Sequence, residues 1–301
     1  MKNYKFISSS DNLELDVLKI EPKSDIKGVI VIAHGMAEHK ERYIDFMHFL
    51  ANHNYVTIIN DHRGHGASVR SKNDLGYFYD ESGNYIVEDI HDLIMQAKKD
   101  YPNVPITLFG HSMGSLVVRK YIKKYDDTID KLIVCGAPCD NPLKGVALSL
   151  TKLIKIFKGD HHRTNLINTI AFSGNDKKFS GTLTNRWLSK NEDNVKAYNA
   201  NELDGYVFTT NGFINLFKLM IDTYSIEAWK VTKPDLPILF IAGSDDPCIG
   251  SKDLWLNAQD FLKKRGYLNI EGILYPEMRH EILQEDDKEL VYNDILEFID
   301  K

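Results

Sequence analysis

Two hydrophobic patterns take turns along most of the chain. Short runs rich in β-branched residues, Gly28–Ala33, Tyr55–Asn60 and Ile106–Phe109, are nearly continuous, as strands covered on both faces should be. Leu132–Cys135, Ile238–Ala242 and Ile270–Leu274 repeat that style. Between them the apolar positions step at three and four residues. Tyr43, Phe46, Met47 and Leu50 form one such stripe; Ile86, Ile90, Leu93, Ile94 and Ala97 a second; Leu116, Val117, Tyr121 and Ile122 a third. Leu290, Val291, Ile295, Phe298 and Ile299 form another near the C-terminus. Strands alternating with amphipathic helices predict parallel βαβ units, hence an α/β fold with helices on both faces of a mostly parallel sheet. Ahead of them, Tyr4–Ser8 and Leu13–Ile20 alternate in and out around Asp11-Asn12, which reads as a hairpin.

The alternation stops between about Asn141 and Lys233. Helical spacing persists there, as in Leu148, Leu153, Ile156 and Phe157, but no central strand appears. Polar breaks interrupt it at Gly159–His162, Ser173–Asp176 and Asn199–Gly205. The pattern predicts a core of residues 1–140 and 234–301, with 141–233 inserted after the sixth strand as a helical cap over the sheet's C-terminal edge. Leu143–Lys158 mixes leucines and isoleucines with four lysines and has two readings. The preferred one is a helix whose apolar side covers the sheet and pocket while its lysines stay in water. The other is a basic amphipathic helix that touches a lipid interface. In Phe208–Met220, residues such as Phe213, Leu216 and Phe217 suit an acyl tunnel and internal packing equally.

Composition narrows the partners. Across 301 residues, 37 Lys plus Arg face 43 Asp plus Glu, a net charge of −6 with no long basic run, which argues against nucleic acid. Hydrophobic residues at 43% and charged ones at 27% are ordinary for a globular chain, long enough to bury a core without disulfides or a structural metal. No apolar stretch approaches the roughly 18 residues of a membrane span. Met1–Asp16 lacks a signal peptide's apolar segment, so a cytoplasmic location is expected. Cys135, Cys139 and Cys248 are an odd number without metal-ligand spacing; they read as reduced thiols with no chemical role. No G-x-G-x-x-G follows the first parallel strand, and the chemistry below needs no cofactor. Oligomeric state is left open.

The sharpest feature is Gly110-His111-Ser112-Met113-Gly114, between the strand Ile106–Phe109 and a helix from about Ser115. In that setting G-x-S-x-G is a nucleophile elbow: small residues let strand and helix approach closely while the turn lifts the serine hydroxyl off the sheet edge. A serine needs a base to take its proton and a carboxylate to orient that base. The partners should follow in the order acid, then histidine, on loops after later strands. Asp245 and Asp246 follow the strand Ile238–Ala242, and periodicity does not choose between them. His280, after Ile270–Leu274, is the only histidine beyond position 162 and the candidate base.

Four blocks carry a resemblance: His34-Gly35-Met36-Ala37-Glu38-His39 with Arg42-Tyr43 after it, Asp61–Ser68, the elbow, and Gly243-Ser244-Asp245-Asp246. From roughly Gly28 to Ile299 the chain resembles the α/β-hydrolase family of monoacylglycerol lipases and lysophospholipase-like carboxylesterases, also classed with serine aminopeptidases. The blocks are similar to its H-G-x-G-E-H oxyanion loop, its D-x-x-G-H-G-x-S loop and its G-x-x-D acid motif. The resemblance implies Asp246 as the acid, and an oxyanion hole made by the backbone N–H groups of Met36 and Met113. It also explains His34, His62 and His65 as scaffold rather than metal ligands. One departure is Ala37, where the family usually has glycine. The expected function is a serine hydrolase of small acyl esters such as monoacylglycerols or lysophospholipids. The alternatives are an amidase or peptidase on the same residues, and a ligand-binding homologue that has lost hydrolysis.

Overall fold

The computed structural model describes residues 1–172 and 174–301; Ser173, in one of the polar breaks, lies outside the described residues. Among the described residues, eight strands form one sheet in the order β1-β2-β4-β3-β5-β6-β7-β8. They are β1 (Lys2–Ile7), β2 (Glu14–Ile20), β3 (Gly28–Ala33), β4 (Tyr55–Asn60), β5 (Ile106–His111), β6 (Lys131–Cys135), β7 (Ile238–Gly243) and β8 (Ile270–Tyr275). From β4 to β8 all neighbours pair in parallel, and β2 runs antiparallel to both β1 and β4. Every residue of β3, β4, β5 and β7 is buried, which is why their sequences are apolar on both faces. The strand β8 departs from the expected central character: it forms the sheet edge, with Glu271 and Gly272 exposed.

Two cores lie on opposite sides of the sheet, because successive strand residues point to opposite faces. Val29, Val31 and Ala33 of β3 join one core, Ile30 and Ile32 the other. The second core is covered by α1 (Ile44–Asn52) and α9 (Lys288–Asp300) through Phe46, Met47, Leu50, Val291, Ile295 and Phe298. The first is covered by α2 (Tyr85–Asp100), α3 (Met113–Tyr125) and α8 (Lys252–Lys263). The helix α8 is absent from the sequence reading above. Its buried face is Trp255, Ala258, Gln259 and Leu262, and its cap is Ser251, whose Oγ accepts from the Leu254 N–H.

Between β6 and β7 the described residues form α4 (Lys144–Lys158), α5 (Asn165–Phe172), α6 (Glu192–Ala200) and α7 (Thr210–Thr223), and among them none contributes a strand to the sheet. The packing preferred for α4 accounts for only one of its faces. Ala147, Leu148, Thr151 and Ile154 turn inward, whereas Leu143, Val146, Leu153, Ile156 and Phe157 are exposed, the last two at 76%. In the polar break, the exposed His161 stacks on Tyr77 at 4.0 Å and its Nε2 meets Asp74 Oδ1 at 3.2 Å. Among the described residues, no helix is long and apolar enough to cross a membrane.

The loops after β3 and β4 are locked together by imidazoles. His34 Nε2 accepts from the His62 N–H (2.9 Å), and His34 Nδ1 meets Gly35 O (2.8 Å). His62 and His65 pack 4.2 and 5.2 Å from the His34 ring, all three fully buried. Burial, with repulsion from His34, pulls His65 down to about 3, and burial likewise lowers His34 and His62. Such groups are neutral in the folded chain, but the unfolded chain protonates them below about 6.5, so the stability is present above that value and lost as the pH falls. His39 and His111 act in the opposite sense: burial lowers them, but Asp204 and Glu38 respectively outweigh it and raise both. The His65 contribution can be isolated. Between pH 7 and pH 5 it should cost about 2 kcal/mol of unfolding free energy. In His65→Asn, which keeps a donor towards Arg63 O, the difference between denaturant curves at the two pH values should shrink by that amount. An unchanged difference would contradict the assignment.

Candidate active site

The site begins with a turn that the sequence can make only because two residues lack side chains. Ser112 stands between β5 and α3 with φ +53° and ψ −114°, a conformation that costs a non-glycine residue about 1–3 kcal/mol. A Cβ on Gly110 would overlap the Gly114 carbonyl, and one on Gly114 would overlap the carbonyls of Ala33 and His34. The helix α3 therefore starts hard against the end of β3. It starts at Met113, two residues earlier than the sequence pattern places it. The Ser112 N–H donates to Cys135 O (3.0 Å), and Ser115 returns to Ser112 O through its N–H (2.9 Å) and Oγ (2.6 Å).

The loops after β5, β7 and β8 bring the predicted serine, acid and histidine together. His280 Nε2 lies 2.8 Å from Ser112 Oγ, and His280 Nδ1 lies 2.8 Å from Asp246 Oδ2. Asp246 is buried, and its Oδ1 accepts from the Cys248 N–H (2.8 Å). Asp245 is exposed, and its carboxylate meets its neighbour Ser244 instead. With Nδ1 donating to the carboxylate, the Nε2 lone pair faces the serine hydroxyl. Gly243 is needed for this loop to pass, since a Cβ there would overlap the carbonyls of Met278 and Arg279.

Met36 and Met113 line the same cavity as Ser112 and His280, a space of about 280 Å³. Met113 opens α3, so its backbone N–H is among those that a helix leaves unpaired. Ala37, at the family's glycine position, has φ +51°, which an alanine tolerates at a cost. Part of the wall is apolar, formed by Leu116, Phe172, Leu216, Phe217 and Met220. Phe213 and Leu219 of the same α7 segment are instead fully buried in the core.

Behind the histidine sits a buried charge cluster to which the sequence analysis assigned no role. Arg42 donates to Glu38 Oε2 (2.9 Å), to both oxygens of Glu281 (2.6 and 2.7 Å) and to Asn194 Oδ1 (3.0 Å). Glu38 Oε1 also accepts from Tyr43 (2.9 Å), from the Gly35 N–H and, at 3.3 Å, from His111, whose Nε2 faces His280 O. Burial raises both carboxyls, but His111 and Arg42 hold Glu38 well below the usual range, and Arg42 does the same more mildly for Glu281. Burial of charges is tolerable only when partnering is this complete.

The flanking residue Arg279 grips the inserted segment. Its guanidinium donates to Arg186 O (2.5 Å) and Ser189 O (3.0 Å) and lies over the Phe179 ring, while Trp187 packs 5.0 Å from the His280 ring. Glu281, next in sequence to His280, and Arg42, after the oxyanion-loop motif, carry a positional hint in the chain. Asn194 and Trp187 carry none.

A strained serine in line with a buried histidine and aspartate, all at the C-terminal edge of this sheet, defines the α/β-hydrolase class. Comparison with known proteins agrees. The chain belongs to the Hydrolase_4 family (Serine aminopeptidase, S33), whose profile matches residues 24–287. It is 26% identical over 284 residues to the monoacylglycerol lipase of Mycolicibacterium smegmatis, covering 92% of this chain and 90% of that one. It is 25% identical to the monoglyceride lipase of Mus musculus, covering 88% and 82%. In structure it is similar to a thermostable carboxyl esterase from Bacillus coagulans, at a TM-score of 0.88 and 24% identity over 99% of this chain and 97% of that one. The relatives named here are lipases and an esterase.

Arg279 gives a structural prediction. Hydrogen bonds from a charged donor are worth about 1.5–3 kcal/mol each. In Arg279→Ala, amide exchange should therefore quicken by roughly tenfold or more in Met278–Leu283 and Arg186–Lys190 together. Exchange that quickens in neither segment, or in one alone, would show that Arg279 does not tie them.

Proposed function

We propose that Ser112, His280 and Asp246 form a catalytic triad that cleaves carboxylic esters through an acyl-enzyme. His280 Nε2 takes the Ser112 proton as Oγ attacks the ester carbonyl, and the Nδ1–H bond to Asp246 stabilises the imidazolium. The backbone N–H groups of Met36 and Met113 stabilise the oxyanion; such a donor is worth on the order of 10²–10³ in rate. His280 then protonates the departing alcohol, and water releases the acid by the same route in reverse. The observation that carries this reading is the pair of 2.8 Å contacts linking serine, histidine and aspartate at a cavity.

The substrates in this reading are monoacylglycerols, lysophospholipids or other acyl esters. The apolar cavity wall supports a hydrocarbon chain, as do the names of the relatives. The family's aminopeptidase description raises an amide alternative, but an aminopeptidase needs a free anion for the substrate's ammonium. Glu38 and Glu281 border the cavity already paired to Arg42, which favours the ester. Residues 141–233 act as a cap over the cavity, and the exposed Leu153, Ile156 and Phe157 of α4, bracketed by Lys152 and Lys158, meet the lipid surface that delivers the substrate.

One set of assays tests both parts. Wild type should hydrolyse 4-nitrophenyl esters in the acetate-to-palmitate series, and Ser112→Ala should lose roughly 10⁴–10⁶-fold in kcat. Phe157→Glu should match wild type on the acetate ester and fall behind on monoacylglycerol in vesicles. Equal rates for wild type and Ser112→Ala would refute the triad; equal vesicle rates for Phe157→Glu would refute the lipid contact.

A further inference from the structure

Cys248 lies two residues beyond Asp246, in the short 3₁₀ turn Pro247–Ile249 that follows β7. Its spacing in the chain pairs it with no histidine, but the fold does. The Cys248 thiol sulphur, an Asp246 carboxylate oxygen and a His280 ring nitrogen all lie within 4.8 Å of one another. Cys248 and His280 both border the cavity, and Asp246 is buried against the His280 ring. Thiolate, imidazole and carboxylate are the three side-chain ligands that zinc takes, and a three-residue set leaves a fourth position for water. Zinc bonds of about 2.0–2.3 Å in a tetrahedron set neighbouring ligand atoms about 3.3–3.8 Å apart. His280 Nδ1 and Asp246 Oδ2 stand 2.8 Å apart, and one ligand atom from each of the three residues lies within 4.8 Å of the others, spacings of that order.

The geometry points to an inhibitory site for a thiophilic divalent cation, zinc foremost, held by Cys248, Asp246 and His280 Nδ1. The inference rests on His280 being the general base of the proposed triad. On binding, zinc sheds water and forms bonds to sulphur, oxygen and nitrogen. The thiol proton of Cys248 leaves to solvent, and the imidazole proton moves from Nδ1 to Nε2. No electron changes hands. The ring then has no lone pair for the Ser112 proton, since one nitrogen is coordinated and the other protonated, and the Asp246 charge is neutralised by the metal. Hydrolysis stops while the cation stays and resumes when a chelator removes it. Cys139 borders the same cavity, and its N–H donates to Cys248 O (3.0 Å), but it is not one of the three ligands; it serves as the control thiol.

The test uses the full chain, with zinc for inhibition and cobalt as a spectroscopic probe. Zinc should inhibit wild type and Cys139→Ala alike, reversibly by chelator, each measured against its own metal-free rate. Losing a group that merely supports a metal ligand costs roughly 10–100-fold in affinity, so Cys248→Ala should raise the inhibitory zinc concentration at least that far. Cobalt should give wild type a thiolate charge-transfer band in the near ultraviolet that Cys248→Ala lacks and Cys139→Ala keeps. Absence of both inhibition and band in wild type, or their persistence in Cys248→Ala, would overturn the site. Should the protein hydrolyse no ester at all, the catalytic assignment falls, and the cobalt band still decides whether the metal site exists.

Discussion

Everything at the active edge follows from one strained turn. Ser112 is held at φ +53° because β5 must become α3 within a residue, and that is possible only where Gly110 and Gly114 let backbone meet backbone. The strain, about 1–3 kcal/mol, persists because the surroundings over-determine it. Cys135 O takes the Ser112 N–H from the neighbouring strand, Ser115 holds the Ser112 carbonyl, and the carbonyls at the end of β3 occupy the space a larger residue 114 would need. The same close approach brings the loop after β3, with Met36, beside the start of α3, with Met113.

A serine so placed is useful only if its partners come from elsewhere with comparable rigidity. The Arg42 guanidinium binds the loop after β3 through Glu38, the histidine loop through Glu281, and the inserted helix α6 through Asn194. His111 joins the elbow to the same cluster between Glu38 and the His280 carbonyl. Four chain segments distant in sequence thus share one buried set of charges. Arg279 and Trp187 extend the connection, so the inserted segment 186–194 and the histidine loop form a continuous structure.

The sheet was legible in the sequence because burial on both faces leaves a direct mark: β3 and β4 match their apolar runs residue for residue. Edge position leaves no such mark, and β8 looked central although two of its six residues, Glu271 and Gly272, are exposed. The helix α8 escaped notice because Leu254, Leu256 and Phe261 blur the spacing of Trp255, Ala258 and Leu262. In the site, motif and strand order pointed to Ser112 and His280, while Asp246 was separated from Asp245 only by resemblance. The fold adds a physical distinction, since Asp246 is turned inward to His280 and Asp245 outward to water. What the chain could not disclose is long-range pairing: nothing in Asn194 or Trp187 announces a partner some ninety positions away, and nothing around Cys248 announces His280.

The strained turn, with His280 beside it, should leave one serine, and no other nucleophile, reactive. Incubation with a fluorophosphonate followed by peptide mass mapping addresses it without any assumption about the substrate. A single adduct is expected on Ser112, formed by wild type and lost in Ser112→Ala. His280→Ala, with the turn intact and the base removed, should label far more slowly. An adduct on another residue, or labelling that survives the loss of Ser112, would contradict it.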